Sequence, residues 1–193
     1  MKDLADIRNL ISTQERKIAN KIADEVLNKP KLNVWMILIP IVFLYYFYAF
    51  HRFATGKKNF VKSFLRTRFL ILDQACICVE TGAKADFQAL AGQDNVPENA
   101  VEAYKTWAKA LHGHYVTLLN TSGVTYPALI KAGYQEQSRY QTILEEILKA
   151  EILFYKALRK DLKKTAQDVG EVIKKIEEAL AHLGQDESRL VFG

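Results

Sequence analysis

The sequence predicts an all-α protein attached to a membrane, and three observations support this. Glycine and proline are scarce, at 9 and 4 of 193 residues, which favours long helices over many turns. Apolar residues recur every three or four positions through most of the chain, whereas no run alternates as a strand would. Residues 32–50 carry no formal charge. We therefore predict an N-terminal amphipathic helix, a single membrane-spanning or re-entrant helix, and a C-terminal antiparallel helical bundle with a coiled-coil-like seam.

Residues 1–31 contain the predicted N-terminal amphipathic helix. Its apolar positions follow helical spacing, with charged residues between them. They are Leu4, Ile7, Ile11, Ile18, Ile22 and Val26. Pro30 ends the helix, because proline cannot continue the backbone hydrogen bonding. The apolar face has two interpretations, which are packing on the distal domain and contact with a partner or the membrane surface.

Residues 32–50, LNVWMILIPIVFLYYFYAF, form the predicted membrane segment. A helix of this length is about 28 Å long, close to the hydrocarbon thickness of a bilayer. Trp35 near one end, and Tyr45, Tyr46 and Tyr48 near the other, suit the headgroup level, where an apolar ring and a polar tip are both satisfied. Pro40 lies in the middle and favours a kink.

The topology of this segment has two interpretations. Within 20 residues of its ends lie 5 Lys/Arg on the N-terminal side and 6 on the C-terminal side. The positive-inside rule therefore leans towards a single span with a cytoplasmic C-terminal bundle. Two cationic flanks also fit a re-entrant segment that turns at Pro40 and keeps both ends inside.

Residues 51–68 form a basic juxtamembrane neck with a net charge of +6. The 31 residues before the membrane segment carry +2 and residues 69–193 carry −3, so most of the chain's net charge of +5 lies beside the membrane. There it would attract anionic headgroups by about 1 kcal/mol per charge. The predicted headgroup contacts are Arg52, Lys57, Lys58, Lys62, Arg66 and Arg68. The alternative is a flank that only sets topology, and the mildly acidic distal region disfavours nucleic-acid binding.

Residues 69–184 form the predicted bundle domain. The second helix of the chain is predicted from about Asn59 to Leu90, where apolar residues fall on one face. A third helix is predicted over residues 97–119. Thr125 is a suitable cap for a fourth helix, which has Pro127 in its first turn.

The C-terminal third of the chain has the most regular periodicity, a heptad-like seam of about six heptads. The predicted interaction seam consists of Tyr140, Leu144, Ile147, Glu151, Phe154 and Leu158. Gly170 interrupts this pattern or allows a hairpin, and residues 185–193 are predicted to form a flexible tail after a helix end at Gly184. Glu151 falls on the apolar stripe, so it either reaches outward to Lys156 or acts as a buried polar pin.

Two pairs of residues resemble metal ligands, Cys76 with Cys78 and His112 with His114. Side chains two positions apart on a helix point about 200° away from each other, so neither pair alone can hold one ion. A site shared between two helices is the remaining alternative. No phosphate-binding glycine loop or nucleophile turn is visible. We therefore predict no catalytic residue and no cofactor, and interpret both cysteines as free thiols.

These features favour a non-enzymatic, membrane-anchored helical adaptor or an accessory subunit of a membrane protein complex. Its expected partners are a bilayer with anionic headgroups and a protein, or a second copy, bound through the seam, and not nucleic acid. One alternative is a helical-bundle metal or redox protein that uses the cysteine and histidine pairs. Another is a membrane-linked signalling module.

Overall fold

The computed structural model describes residues 3–27, 56–159 and 166–193, and all regular structure in these ranges is helical. The seven α-helices there are α1 Leu4–Leu27, α2 Gly56–Thr81, α3 Phe87–Gln93, α4 Val101–Leu119, α5 Tyr126–Tyr134, α6 Gln137–Arg159 and α7 Ala166–Phe192. A short 3-10 turn, Glu98–Ala100, leads into α4. The prediction of an all-α bundle is thereby confirmed.

The predicted membrane segment, residues 32–50, lies outside the described residues. Its five predicted anchor residues, Trp35, Pro40, Tyr45, Tyr46 and Tyr48, therefore lie outside them as well. Among the helices of the described ranges, none combines the length and the apolar character that crossing a bilayer demands. Attachment to a membrane stays a prediction.

The second helix ends earlier than predicted, and the reason is a glycine. α2 stops at Thr81 because Gly82 adopts a left-handed backbone with φ of 72°, and its N–H donates to the Cys78 carbonyl at 2.9 Å. Glycine takes this conformation without a side-chain penalty, which makes it a frequent helix terminator. α3 then starts afresh after Asp86, whose carboxylate accepts the Ala89 N–H at 2.9 Å.

The third and fourth helices agree with the sequence. α4 begins at Val101, after the 3-10 turn, and ends at Leu119 as predicted. The predicted cap of α5 is confirmed, because the Thr125 hydroxyl accepts the Ala128 N–H at 3.4 Å. Pro127 lies in the first turn, where its missing N–H removes no helical hydrogen bond.

Five long helices surround one hydrophobic core, and each packs on its neighbours in the order α1, α2, α4, α6, α7 and back to α1. α1 and α2 are antiparallel, since Arg8 contacts Asp73 while Arg16 lies over the Phe69 ring at 5.0 Å. For residues that face each other across this helix pair, the two residue numbers have a nearly constant sum, as expected of antiparallel helices. The end of α1 and the start of α2 therefore lie at the same end of this antiparallel pair.

α4 and α6 are also antiparallel. The Trp107 ring stacks on Phe154 with centroids 5.4 Å apart, whereas His114 lies 6.2 Å from Tyr140. These rings belong to two aromatic clusters between the two helices. The first cluster also contains Tyr104, which meets the Phe154 ring edge-on at 5.4 Å.

α6 and α7 form an antiparallel hairpin, in which Leu144 faces Gly184 and Tyr140 faces Phe192. The described part of α6 ends at Arg159 and that of α7 begins at Ala166, so Gly170 lies within α7 and does not interrupt it. The predicted helix end at Gly184 and the flexible tail of residues 185–193 are wrong. α7 continues to Phe192, and Val191 is only 2% exposed, because the last turns of α7 complete the core.

Candidate functional site

A charged triad lies in the centre of the bundle, made of Glu15 from α1, Arg68 from α2 and Glu151 from α6. All three residues are buried. The Arg68 guanidinium donates to Glu151 Oε2 at 2.6 Å, and its other terminal nitrogen donates to Glu15 Oε2 at 3.2 Å and Oε1 at 3.4 Å. One cation on α2 therefore joins a carboxylate from α1 and a carboxylate from α6.

Two tyrosines complete the hydrogen bonding of the two carboxylates in the charged triad, whereas the buried Nε of Arg68 has no hydrogen-bond partner among the described residues. Tyr115 of α4 donates to Glu15 Oε1 at 2.7 Å, and Tyr155 of α6 donates to Glu151 Oε1 at 2.7 Å. Each of the four carboxylate oxygens thus accepts at least one hydrogen bond. Buried charges are tolerated only when they are paired and hydrogen-bonded in this way.

The electrostatics of the triad follow from its burial. Desolvation alone would lower the pKa of Arg68, but the carboxylates of Glu151 and Glu15 outweigh it and raise that pKa well above its usual value. Burial, together with the nearby carboxylates, raises the pKa of Tyr115 and of Tyr155 well above the usual value for tyrosine. Both phenols therefore remain protonated and serve as hydrogen-bond donors.

The Arg68 side chain also contacts aromatic rings. Its guanidinium carbon lies 4.6 Å from the centre of the Phe64 ring and 5.8 Å from that of Trp107. A desolvated guanidinium over a π face gains further stabilisation. The triad is consequently built into the apolar core and does not form a separate polar pocket.

A second polar cluster, the His114 cluster, consists of His114 from α4 with Tyr126 and Tyr134 from α5. The His114 Nδ1 lies 2.6 Å from the Tyr134 hydroxyl, and its Nε2 lies 3.3 Å from that of Tyr126. Burial lowers the pKa of His114 to about 4, and the positive charge of Arg68 adds to this. The imidazole is neutral at physiological pH, so one ring nitrogen donates and the other accepts.

The C-terminal helix joins this polar core through Glu187. Its carboxylate accepts a hydrogen bond from the Tyr140 hydroxyl and another from Gln14 Nε2 at 2.5 Å. Burial raises the pKa of Glu187. This carboxylate bridges α6 and α1, and it belongs to the segment that the sequence predicted to be a free tail.

The predicted interaction seam faces inward. Five of its six residues are buried, and Leu144 is partly buried against the same core. The buried members are Tyr140, Ile147, Glu151, Phe154 and Leu158. The helical stripe was predicted correctly, but its partners are helices of the same chain, so it is not a free surface for a second protein. Of the two alternatives for Glu151, outward reach to Lys156 or a buried polar pin, the structure shows the buried pin, because its carboxylate contacts Arg68.

The six predicted headgroup residues divide into different environments. Lys58 and Lys62 are exposed near the start of α2, while Arg66 lies partly exposed with its Nε 3.6 Å from the Asp94 carboxylate. Lys57 is in the first turn of α2. Arg52 lies outside the described residues. The prediction that Arg68 contacts a lipid headgroup is wrong, because its guanidinium is buried between two carboxylates.

The four weak candidates for metal ligation are not brought together as a site. Cys76 is buried and Cys78 partly buried on α2, and both are free thiols. His112 packs edge-on against Phe87 with ring centres 5.4 Å apart, while both nitrogens of His114 face tyrosine hydroxyls. Within the described ranges, no group of three or more His, Cys, Asp or Glu side chains has a geometry that could hold a metal ion.

Sequence reasoning missed the roles of Glu15 and Arg68, although a signal was present. Glu15 lies four residues after Ile11 and three before Ile18, on the apolar stripe of α1. Arg68 lies four residues after Phe64 and four before Leu72, on the stripe of α2. A charged residue therefore interrupts the apolar stripe of three helices, and the charges are complementary. The pairing of these three positions could have been predicted from that pattern.

No protein-family model, curated protein or solved structure matches this chain.

Proposed function

We propose that this protein is a non-enzymatic, membrane-anchored helical adaptor, an accessory subunit that holds a rigid helical domain at a membrane surface. Two features support this role: the apolar run of residues 32–50, and the buried contacts that join the helices before and after it to the rest of the bundle. The run follows α1 and precedes α2, so both of its flanks continue into long helices of the bundle.

The observation that carries the proposal is the position of the charged triad. Arg68 on α2 binds Glu15 on α1, which fixes the two helices that flank the apolar run against each other. The same guanidinium binds Glu151 on α6. Any displacement of the anchor flanks is thereby passed to the rest of the bundle, which suits a subunit that positions a domain.

The chemistry of the buried groups also favours a structural role over catalysis. The carboxylate oxygens of Glu15 and Glu151 are satisfied by groups of the same chain, and the phenol and imidazole groups nearby hydrogen-bond to one another. Catalytic groups generally need an approach for substrate and a partner that changes during reaction. A closed, buried network of this kind fixes the arrangement of the helices.

Membrane attachment is tested by fractionating the full chain from expressing cells and washing the membranes with high salt and then with alkaline carbonate. We expect the protein to stay in the pellet through both washes, because an apolar run of this length resists extraction. Ile39→Asp combined with Val42→Asp should release it. Leu190→Asp is the matched control, since Leu190 is 84% exposed on α7 and tolerates a charge. Complete release of the wild-type chain by salt would refute the anchor.

The adaptor role is tested by extracting the membranes in a mild detergent and separating the complexes by size. One discrete assembly, larger than the chain alone in its micelle and reproducible between preparations, is the expected result. A monodisperse single chain would contradict an accessory-subunit role while leaving membrane attachment intact.

A further inference from the structure

The antiparallel pairing of α1 and α2 determines on which side of a membrane their ends lie. Arg8 Nη2 contacts Asp73 Oδ1 at 2.5 Å, Glu15 binds Arg68, and Arg16 lies over Phe69. These contacts span residues 8–16 of α1 and show that the two helices run in opposite directions. The last residue of α1 and the first residue of α2 therefore emerge at the same end of the bundle.

A complete crossing by the apolar run is incompatible with this pairing. Twenty-eight residues separate Leu27 from Gly56, and a bilayer crossing takes about 20 residues in a helix. One crossing would leave α1 and α2 on opposite sides of a hydrocarbon layer about 30 Å thick. Two crossings would need about 40 residues, which the connection does not have. After one crossing the buried contact of Glu15 with Arg68 could not form, and the length of the connection excludes two crossings.

We infer that α1 and α2 lie on the same side of the bilayer, so that the end of the bundle formed by the end of α1 and the start of α2 docks on the membrane surface. This inference rests on the membrane attachment proposed above.

The charge of this end of the bundle fits an anionic bilayer. Lys17 and Lys21 on α1 and Lys58 and Lys62 on α2 are exposed. On α1 the two lysines are balanced by Asp24 and Glu25, whereas residues 56–68 of α2 contain no acid, so the cationic character of this end comes mainly from the start of α2. Surface lysines of this kind are attracted by anionic headgroups and also hold both flanks on the same side.

The test uses the full chain in its membrane, with Cys76→Ala and Cys78→Ala to remove the native thiols. Arg8→Cys and Asp73→Cys then place one thiol on each helix. The side chains replaced are 43% and 49% exposed, so the bundle tolerates their loss. A bismaleimide with a reach of about 10 Å, the spacing of packed helices, is added to carbonate-washed membranes.

We expect at least about tenfold more intramolecular product from this pair than from a control pair, because facing thiols have a high effective concentration. The control is Lys17→Cys with Asp73→Cys, since Lys17 lies nine residues further along α1, about 13 Å away. Equal, low crosslinking by both pairs in protein that remains in the washed membrane would overturn the one-sided topology. Loss of the protein from the membrane would instead overturn the attachment itself.

A second measurement does not depend on crosslinking. Lys17→Cys and Lys62→Cys are introduced separately in the same thiol-free background, and an impermeant maleimide is applied to sealed vesicles of known sidedness. Both positions should react from the same face and be protected from the other. Labelling of the two positions from opposite faces would refute the inference even if the bundle were fully folded.

Discussion

Arg68 and Glu151 form an ion pair in which Arg68 Nη2 lies 2.6 Å from Glu151 Oε2, and their side chains are 5% and 1% exposed. The two residues are separated by 83 positions in the chain. The pair is buried together with Glu15, so the local charge is one cation and two anions. Attraction between ions in a buried site must offset a large desolvation cost. The contribution of the triad to stability therefore depends on all its members being present.

Removing the cation should be severely destabilising. Arg68→Met leaves Glu15 and Glu151 buried without a counter-ion, which costs about 3–5 kcal/mol in the free energy of unfolding. The measurement is urea unfolding of the full chain in one fixed detergent. Arg8→Met is the matched control, because Arg8 pairs with Asp73 on the same two helices but at an exposed site. We expect the control to change stability by about 0–1 kcal/mol. Equal effects of the two substitutions would contradict the buried assignment.

The coupling between Arg68 and Glu151 is measurable in a double-mutant cycle. Glu151→Leu alone removes the acceptor of Tyr155 and one partner of Arg68, so we expect it to destabilise the bundle. The double variant, which also carries Arg68→Met, should be destabilised by about 1–3 kcal/mol less than the sum of the two single losses. The reason is that the interaction between the two residues can be lost only once. Additive losses, or a higher melting temperature for Glu151→Leu alone, would show that Glu151 is not held by Arg68.

The contrast between fold and site shows what a single sequence reveals. Helical periodicity placed α1 and α4 because a core-facing stripe repeats locally, whereas the start of α5 was predicted from Thr125 as its cap and Pro127 in its first turn. The partners of that stripe are set by tertiary packing, so the seam of α6 was assigned to another molecule when it faces α4 and α7. Arg68 was read with its basic neighbours as a lipid contact. Only its place on the apolar stripe, after Phe64, distinguishes it from the exposed Lys62.

The end of α2 depends on the backbone of Gly82. Its φ is 72°, and a Cβ added there would meet no atom within 4 Å, so the cost of Gly82→Ala is conformational and not steric. We expect a loss of about 1 kcal/mol. Gly92→Ala is the control, because Gly92 lies within α3 and also has open space around it. There alanine should be neutral or slightly stabilising. A loss at position 92 equal to that at position 82 would contradict this account.

The last turns of α7 should be essential for stability. Val191 is 2% exposed, whereas its neighbour Leu190 is 84% exposed. Val191→Ala removes buried methyl groups and leaves a cavity, at a cost of about 2 kcal/mol. Leu190→Ala removes a larger side chain from water and should have little effect. The measurement is the free energy of unfolding of both variants in urea. If the last turns of α7 were frayed, neither substitution would change it.

Stability should fall in mildly acidic solution because of His114. The pKa of His114 is about 4 in the folded protein, whereas that of an unfolded histidine is about 6.5. Above pH 6.5 the imidazole is neutral in both states. As the pH falls from about 6.5 to 4, the unfolded chain binds a proton that the folded chain does not, so this group's contribution is lost progressively, by about 3 kcal/mol in total.

The contribution of His114 is isolated by comparing pH profiles of the free energy of unfolding. His114→Asn retains a polar group near the Tyr134 hydroxyl but cannot take up a proton, so its profile should be flatter between pH 6.5 and 4. Glu187 acts in the opposite direction, because its raised pKa makes the folded state bind a proton before the unfolded state as the pH falls. Since Glu187 is present in both proteins, its effect cancels in the difference. A slope unchanged by His114→Asn would mean that the pKa of His114 is the same in the folded and the unfolded chain, which would contradict this prediction.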